Sequence, residues 1–174
     1  MTQPIEVLEV GPRDGLQNEA DIISTADKLA LIEAMIGYGA KRLEVASFVH
    51  PGRVPQMADA EAVIAGLPDR EDVQYIGLTL NKRGIMRALA TREGGSENEK
   101  GRGIDQAGCV IVASDTFGQK NQGQTIAEGI AETRDMLRFA KSEGLSAQAT
   151  ISAAFGCSFE GKVKSETVLA IAEE

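Results

Sequence analysis

Apolar positions along the chain follow two alternating periods. Short, nearly continuous apolar runs at Ile5–Val10, Arg42–Ala46, Val73–Leu80, Cys109–Ala113 and Ala147–Ala153 read as strands, most of them of the kind buried on both faces. Between them the spacing becomes helical. One helix opens at Ser24 or Thr25, with Asp27 placed for a capping box, and sets Leu29, Ile32 and Ile36 on one face before Gly37 and Gly39 stop it. Another opens at Thr125 with Glu128 in the capping position, carries Ile126, Ile130, Leu137 and Ala140 on one stripe, and ends at Gly144. This β-α alternation predicts an α/β protein with a parallel sheet and right-handed crossovers.

Thr91–Gly108 breaks the rhythm, being polar and rich in glycine. It leads from a helix back to a strand, so it is expected to be a flexible insertion at the face opposite the strands' carboxyl ends. No internal repeat appears, and residues 1–174 read as a single domain.

Composition narrows the partners. The net charge is −8 with no cluster of Lys and Arg, which argues against nucleic acid or an anionic membrane. There is no Trp and only 4% aromatic residues, too few for a platform that stacks single-stranded bases. No apolar stretch approaches the roughly 20 residues of a membrane span. A first strand at Ile5 leaves no room for a leader peptide, and Cys109 and Cys157 lie far apart without a CxxC spacing. Together these features predict a cytoplasmic protein with reduced thiols.

The chemistry concentrates where the first strand ends. Val10-Gly11-Pro12-Arg13-Asp14-Gly15-Leu16-Gln17-Asn18-Glu19 places a fixed positive charge beside a hard carboxylate ligand for a divalent cation. Parallel α/β proteins build their sites beyond the carboxyl ends of the strands. The second strand there carries Glu44 and leads into Ser47 and His50. The third gives Thr79, Asn81 and Lys82, and the fourth Ser114, Asp115, Lys120 and Asn121. The fifth leads to Ser152 and the segment Gly156–Lys162. Chance would scatter such residues over both faces, whereas here they form one polar ring.

The stretches EVGPRDGLQNE, LEVASFVHPGRVPQMADAE, GLTLNKRG, ASDTFGQKNQGQT and FGCSFEGKV resemble the successive strand-end motifs of hydroxymethylglutaryl-CoA lyases. The resemblance runs from about Ile5 to the end, interrupted by the insertion. It implies a (β/α)₈ TIM barrel, of which this chain supplies about five β/α units, the N-terminal part. The implied activity is divalent-metal-dependent C–C cleavage of 3-hydroxy-3-methylglutaryl-CoA to acetoacetate and acetyl-CoA. Asp14 would bind the metal, Mg²⁺ or Mn²⁺, and Arg13 would stabilise the developing enolate oxygen. Gln17 and Glu44 would hold Arg13 and the polar groups of the substrate. Asn81 and Asn121 match positions lining the acyl-CoA site, with Lys120 and Lys162 as phosphate contacts on charge alone. The full-length form would be a homo-oligomer, a dimer.

Several features depart from the family's pattern. Gly156-Cys157-Ser158-Phe159 stands where relatives commonly carry Gly-Cys-Pro-Tyr. His50 reads as a loop histidine and Cys157 as a structural or site-lining thiol. The family's later His-X-His metal pair is absent, since the chain holds one histidine. A complete barrel takes about 250 residues, against 174 here. The chain alone is therefore expected to be inactive. An encoding frame that continued past Glu174 into a His-X-His segment would mark it as part of a longer lyase. Three other readings compete: a lyase for another 3-hydroxyacyl-CoA such as citramalyl-CoA, a Schiff-base aldolase using Lys82, and a non-catalytic fragment or interaction module.

Overall fold

Residues 5–93 and 101–174 are described in a computed structural model. Their five strands form one parallel sheet in sequential order. The strands are β1 (Leu8–Glu9), β2 (Arg42–Ser47), β3 (Gln74–Leu78), β4 (Gln106–Val112) and β5 (Ser146–Ser152). The connecting helices are α1 (Thr25–Gly37), α2 (Ala60–Ala65), α3 (Lys82–Ala90), α4 (Asp115–Asn121), α5 (Ile126–Ser142) and α6 (Ser165–Glu173). The sheet curls into half of a (β/α)₈ barrel wall.

Strand parity decides what each face does. Leu43, Val45, Tyr75, Ala107 and Cys109 point outward and pack with Ile32, Ile36, Val63, Ile64, Ile85, Met136 and Ala140 of the helices. A smaller cluster joins Ile111 of β4 to Ile171 of α6, with Ile130 and Ile151 packed against it. The opposite parity is mixed: polar at the strands' amino-terminal end, with Ile76, Leu78 and Val112 buried further along. Arg42 donates to Glu6 (2.7 Å), Gln74 (2.7 Å), Gln106 (2.8 Å) and Gln148 (3.0 Å). A bond from β2 to β5 passes over two intervening strands, so these residues lie on the concave side at its amino-terminal end. One guanidinium, with its rigid fork of donors, thus gathers groups from every strand or its approach and pins the curl.

Helix termini follow their sequence signals. Ser24 caps α1 by accepting from the Asp27 N–H (3.2 Å), and Thr125 and Glu128 complete a reciprocal capping box at α5. Gly144 takes a φ of +69° after α5, the left-handed conformation that ends many helices.

The edges depart from the expected two-sided burial. Leu8 pairs with Arg42, where β2 begins, so Ile5 and Val7 have no ladder partner and are 93% and 72% exposed. β5, the other edge, pairs only with β4 and is mostly half-buried or exposed. The expected insertion is also shorter on its carboxyl side. β4 begins at Gln106 rather than Cys109, because polar Gln106 and small Gly108 face the concave side and mask the strand in the pattern. Ile104 is buried, and Arg102 bonds to Asp105 (3.0 Å) and to the Val73 carbonyl (3.4 Å), so this part is packed at the amino-terminal face as the crossover requires. Gly94–Lys100 of that segment lie outside the described residues. Among the described residues no helix is long and apolar enough to cross a membrane.

Candidate active site

After β1 the chain makes one π-helical turn, Gly11–Gly15, in which the N–H groups of Arg13 and Asp14 both reach the Val10 carbonyl (3.1 and 2.7 Å). Glu9 folds back to accept from the Gly11 N–H at 2.7 Å. A Cβ at Gly11 would stand 2.9 Å from that same carboxylate oxygen, so a larger residue would have to displace the Glu9 side chain from this bond. Turns of this kind are rare and recur at functional sites.

The turn delivers Arg13 to Glu44, in the middle of β2. Arg13 Nε and Nη2 both meet Glu44 Oε1, and Nη1 donates to Asp14 Oδ1 at 2.9 Å. A guanidinium has five N–H donors. With Nε and one N–H of Nη1 donating and Nη2 in ion-pair contact with Glu44, each terminal nitrogen keeps an N–H without a partner among the described residues. The Arg13 side chain is 13% exposed and that of Asp14 55%, so the pair presents a sheltered cation beside an accessible carboxylate. Burial pushes the Glu44 carboxyl above its ordinary pKa, opposed by the charge and hydrogen bonds of Arg13. Gly108 on β4 leaves the space beside it: a Cβ there would lie 3.4 Å from Glu44 Oε2.

Two buried polar atoms close to these elements in sequence have no hydrogen-bond partner among the described residues, Gln17 Oε1 and Ser47 Oγ at the end of β2. No hydrogen bond joins Gln17 to Arg13 among the described residues. Of the two residues expected to hold Arg13, Glu44 contacts it, its strand position facing the turn directly.

Several other members of the polar ring make contacts within the fold. Thr79 is buried and donates to the Gly108 carbonyl (3.2 Å). Asn81 is the N-cap of α3, accepting from Gly84 at 2.9 Å, and Asn121 is exposed at the end of α4. Ser114 caps α4, and Asp115 accepts from the Ile126 N–H at 2.7 Å where α5 starts. Lys82 Nζ lies 4.2 Å from the Phe139 ring centroid, on the convex side with α5, which takes it away from the site expected of a Schiff-base amine. His50 accepts from Gly52 within its own loop (3.1 Å).

The loops after β4 and β5 interlock. Cys157 and Gly161 exchange backbone hydrogen bonds of 2.7 and 2.8 Å, Glu160 accepts from Thr116 (2.6 Å), and Lys120 sits 4.0 Å from the Phe159 ring centroid. The Ser114 hydroxyl donates to Cys157 Sγ at 3.1 Å and lowers the thiol's pKa, against the opposing effect of burial. Cys157 is buried, as a lining or structural thiol would be.

Sequence reasoning missed Arg42 and the buried Lys28, which bonds Asp59 of the PQMADAE stretch. The signal for Lys28 was its place on the α1 stripe, four residues before Ile32. No three His, Cys, Asp or Glu side chains converge as a metal site among the described residues. Asp14 offers one accessible carboxylate, so these residues alone do not complete a divalent-cation site.

A family model described as HMGL-like matches residues 4–174. The chain belongs to the HMGL-like family. It is 36% identical over 169 residues to the zebrafish (Danio rerio) 3-hydroxy-3-methylglutaryl-CoA lyase, cytoplasmic, with 97% of the chain and 47% of the relative aligned. It is also 36% identical over 171 residues to the (R)-citramalyl-CoA lyase of Chloroflexus aurantiacus, covering 98% of the chain and 54% of that protein. Among solved structures, the Bacillus subtilis HMG-CoA lyase superposes with a TM-score of 0.86 at 35% identity, covering 99% of this HMGL-like chain and 55% of the other. An Acinetobacter baumannii HMG-CoA lyase, solved with coenzyme A and 3-methylmalate, gives a TM-score of 0.86 at 31% identity, covering 99% and 54%. The chain therefore spans about half the length of these relatives.

Proposed function

We propose that this chain provides the enolate-stabilising half of a carbon–carbon lyase that cleaves 3-hydroxy-3-methylglutaryl-CoA to acetoacetate and acetyl-CoA. The observation that carries the reading is Arg13, held by Glu44 and bracketed by Asp14, with a free N–H on each terminal nitrogen. Retro-Claisen cleavage removes the proton of the 3-hydroxyl, breaks the bond between C2 and C3, and leaves the electron pair as a thioester enolate that must then take up a proton. The free N–H groups of Arg13 suit the oxygen on which that negative charge grows. Glu44 orients the guanidinium and keeps it from reorganising during the step.

A divalent cation bound through Asp14 and ligands from the remainder of the site would polarise the substrate's hydroxyl and carboxylate. Within this chain, Asp14 is the one residue assigned to it. Lys120 and Asn121 on α4 would line the thioester's approach. The citramalyl-CoA reading rests on a specific observation, the 36% identical relative of that name, and shares every role given to Arg13, Glu44 and Asp14. The two free cysteines suit a reducing compartment, and a cytoplasmic location completes the proposal.

The test is to assay a polypeptide carrying these residues together with the later half of the barrel on both thioesters, with Mg²⁺ or Mn²⁺ supplied. Formation of acetoacetate and acetyl-CoA supports the first reading, pyruvate and acetyl-CoA from citramalyl-CoA the second. Turnover of neither overturns both.

A further inference from the structure

The PQMADAE stretch closes one of the motifs quoted above, yet none of its side chains has a role in the site described above. Its structural counterpart is an ion pair between a buried lysine and a half-buried aspartate. Lys28, on the first turn of α1, is 3% exposed, and its Nζ donates to Asp59 Oδ1 and to the Gln56 carbonyl, both at 2.5 Å. The other oxygen of Asp59 accepts from the Thr25 hydroxyl at 2.6 Å. From the same segment the Gln56 side chain donates to the Glu19 carbonyl at 2.8 Å, and Asn18 in turn donates to the Asp14 carbonyl at 2.7 Å.

Removing a lysine from water is costly, and an apolar pair of like volume often stabilises a fold as well or better. What an ion pair adds is direction. Here it fixes the loop after β2 against the start of α1, and Gln56 extends that fixation to the loop after β1. The contacts form a continuous series from Asp59 through Lys28, Gln56, Glu19 and Asn18 to Asp14, the neighbour of Arg13.

We propose that Lys28, Asp59 and Gln56 are positioning residues that set the loop carrying Arg13 and Asp14. The assignment deepens the lyase reading and rests on it for the meaning of Arg13, but its first readout does not depend on activity. That readout is solvent exchange of the Arg13 Nε–H, which is protected by Glu44. It is measured by NMR on the full chain, under conditions where circular dichroism shows each variant folded.

Gln56→Ala removes the link to Glu19 but leaves the ion pair, since Lys28 uses the Gln56 backbone. Lys28→Met removes the pair itself. Both should speed Arg13 Nε–H exchange by about tenfold or more, whereas Thr125→Ala, a cap variant of α5, should leave it within about twofold. If Lys28→Met does not fold, Gln56→Ala decides alone. Unchanged exchange in Gln56→Ala, or equal acceleration in Thr125→Ala, overturns the proposal. In the complete lyase, Gln56→Ala should lower kcat by about tenfold with KM within about twofold, the pattern of a misplaced transition-state group. A rise in KM alone would also overturn it. Inactivity of the unsubstituted enzyme would count against the lyase reading, while the exchange experiment would still decide the positioning role.

Discussion

At the scale of single residues, the site turns on how one guanidinium is held. Arg13→Met should leave the fold intact and cost about 3–4 kcal/mol of transition-state stabilisation in the complete enzyme, the range for loss of an oxyanion donor. Arg13→Lys should recover little of it, because an ammonium cannot meet Glu44 and Asp14 while keeping planar donors free. Steady-state kinetics checks both, and near-normal turnover by Arg13→Met would contradict the role. Glu44 carries a second expectation. Its pKa is raised on folding, so the native state binds this proton more tightly than the unfolded state does. The stability linked to Glu44 is therefore fully present below the unfolded carboxyl pKa and declines as pH rises through that value to the folded one. Unfolding titrations across that window should show the decline, and Glu44→Gln should abolish it. A Glu44 carboxyl resonance that titrates below an ordinary glutamate would overturn the argument.

At the scale of elements, the sequence was readable where one force dominated. The α5 capping box and the stripe of α1 could be seen because local hydrogen bonding and amphipathicity agree there. β4 was cut short because Gln106 and Gly108 belong to the concave face, whose needs are set by Arg42 and Glu44 on another strand. The place of Arg13 and Asp14 in a turn after the first strand was legible from their motif. That Asn81, Ser114 and Asp115 serve as caps was not separable from a ring of ligands, since caps and ligands use the same side chains at the same strand ends. The Arg42 hub gives a test at this scale. Arg42→Leu removes four bonds and leaves Gln74, Gln106 and Gln148 facing an apolar group. It should cost about 2–4 kcal/mol in urea unfolding, several hydrogen bonds to a charge being only partly additive. A loss below about 0.5 kcal/mol, typical of plain surface sites, would mean that the hub does not pin the curl.

At the scale of the molecule, the half-barrel leaves two sheet edges and apolar residues such as Ile5, Val7 and Phe155 open to solvent. It contributes Arg13, Glu44 and Asp14 to the proposed site, and among the described residues no metal site of three or more ligands. On the proposed reading, this chain supplies the enolate-stabilising group while the rest of the chemistry comes from the other half of the barrel. The most direct measurement is turnover of 3-hydroxy-3-methylglutaryl-CoA, with Mn²⁺ present, by the purified 174-residue chain alone and after mixing with a complementing C-terminal half-barrel. No turnover is expected of the chain alone, with turnover on mixing and loss of that turnover in Arg13→Met. Cleavage by the chain alone, or mixed activity indifferent to Arg13→Met, would contradict that reading.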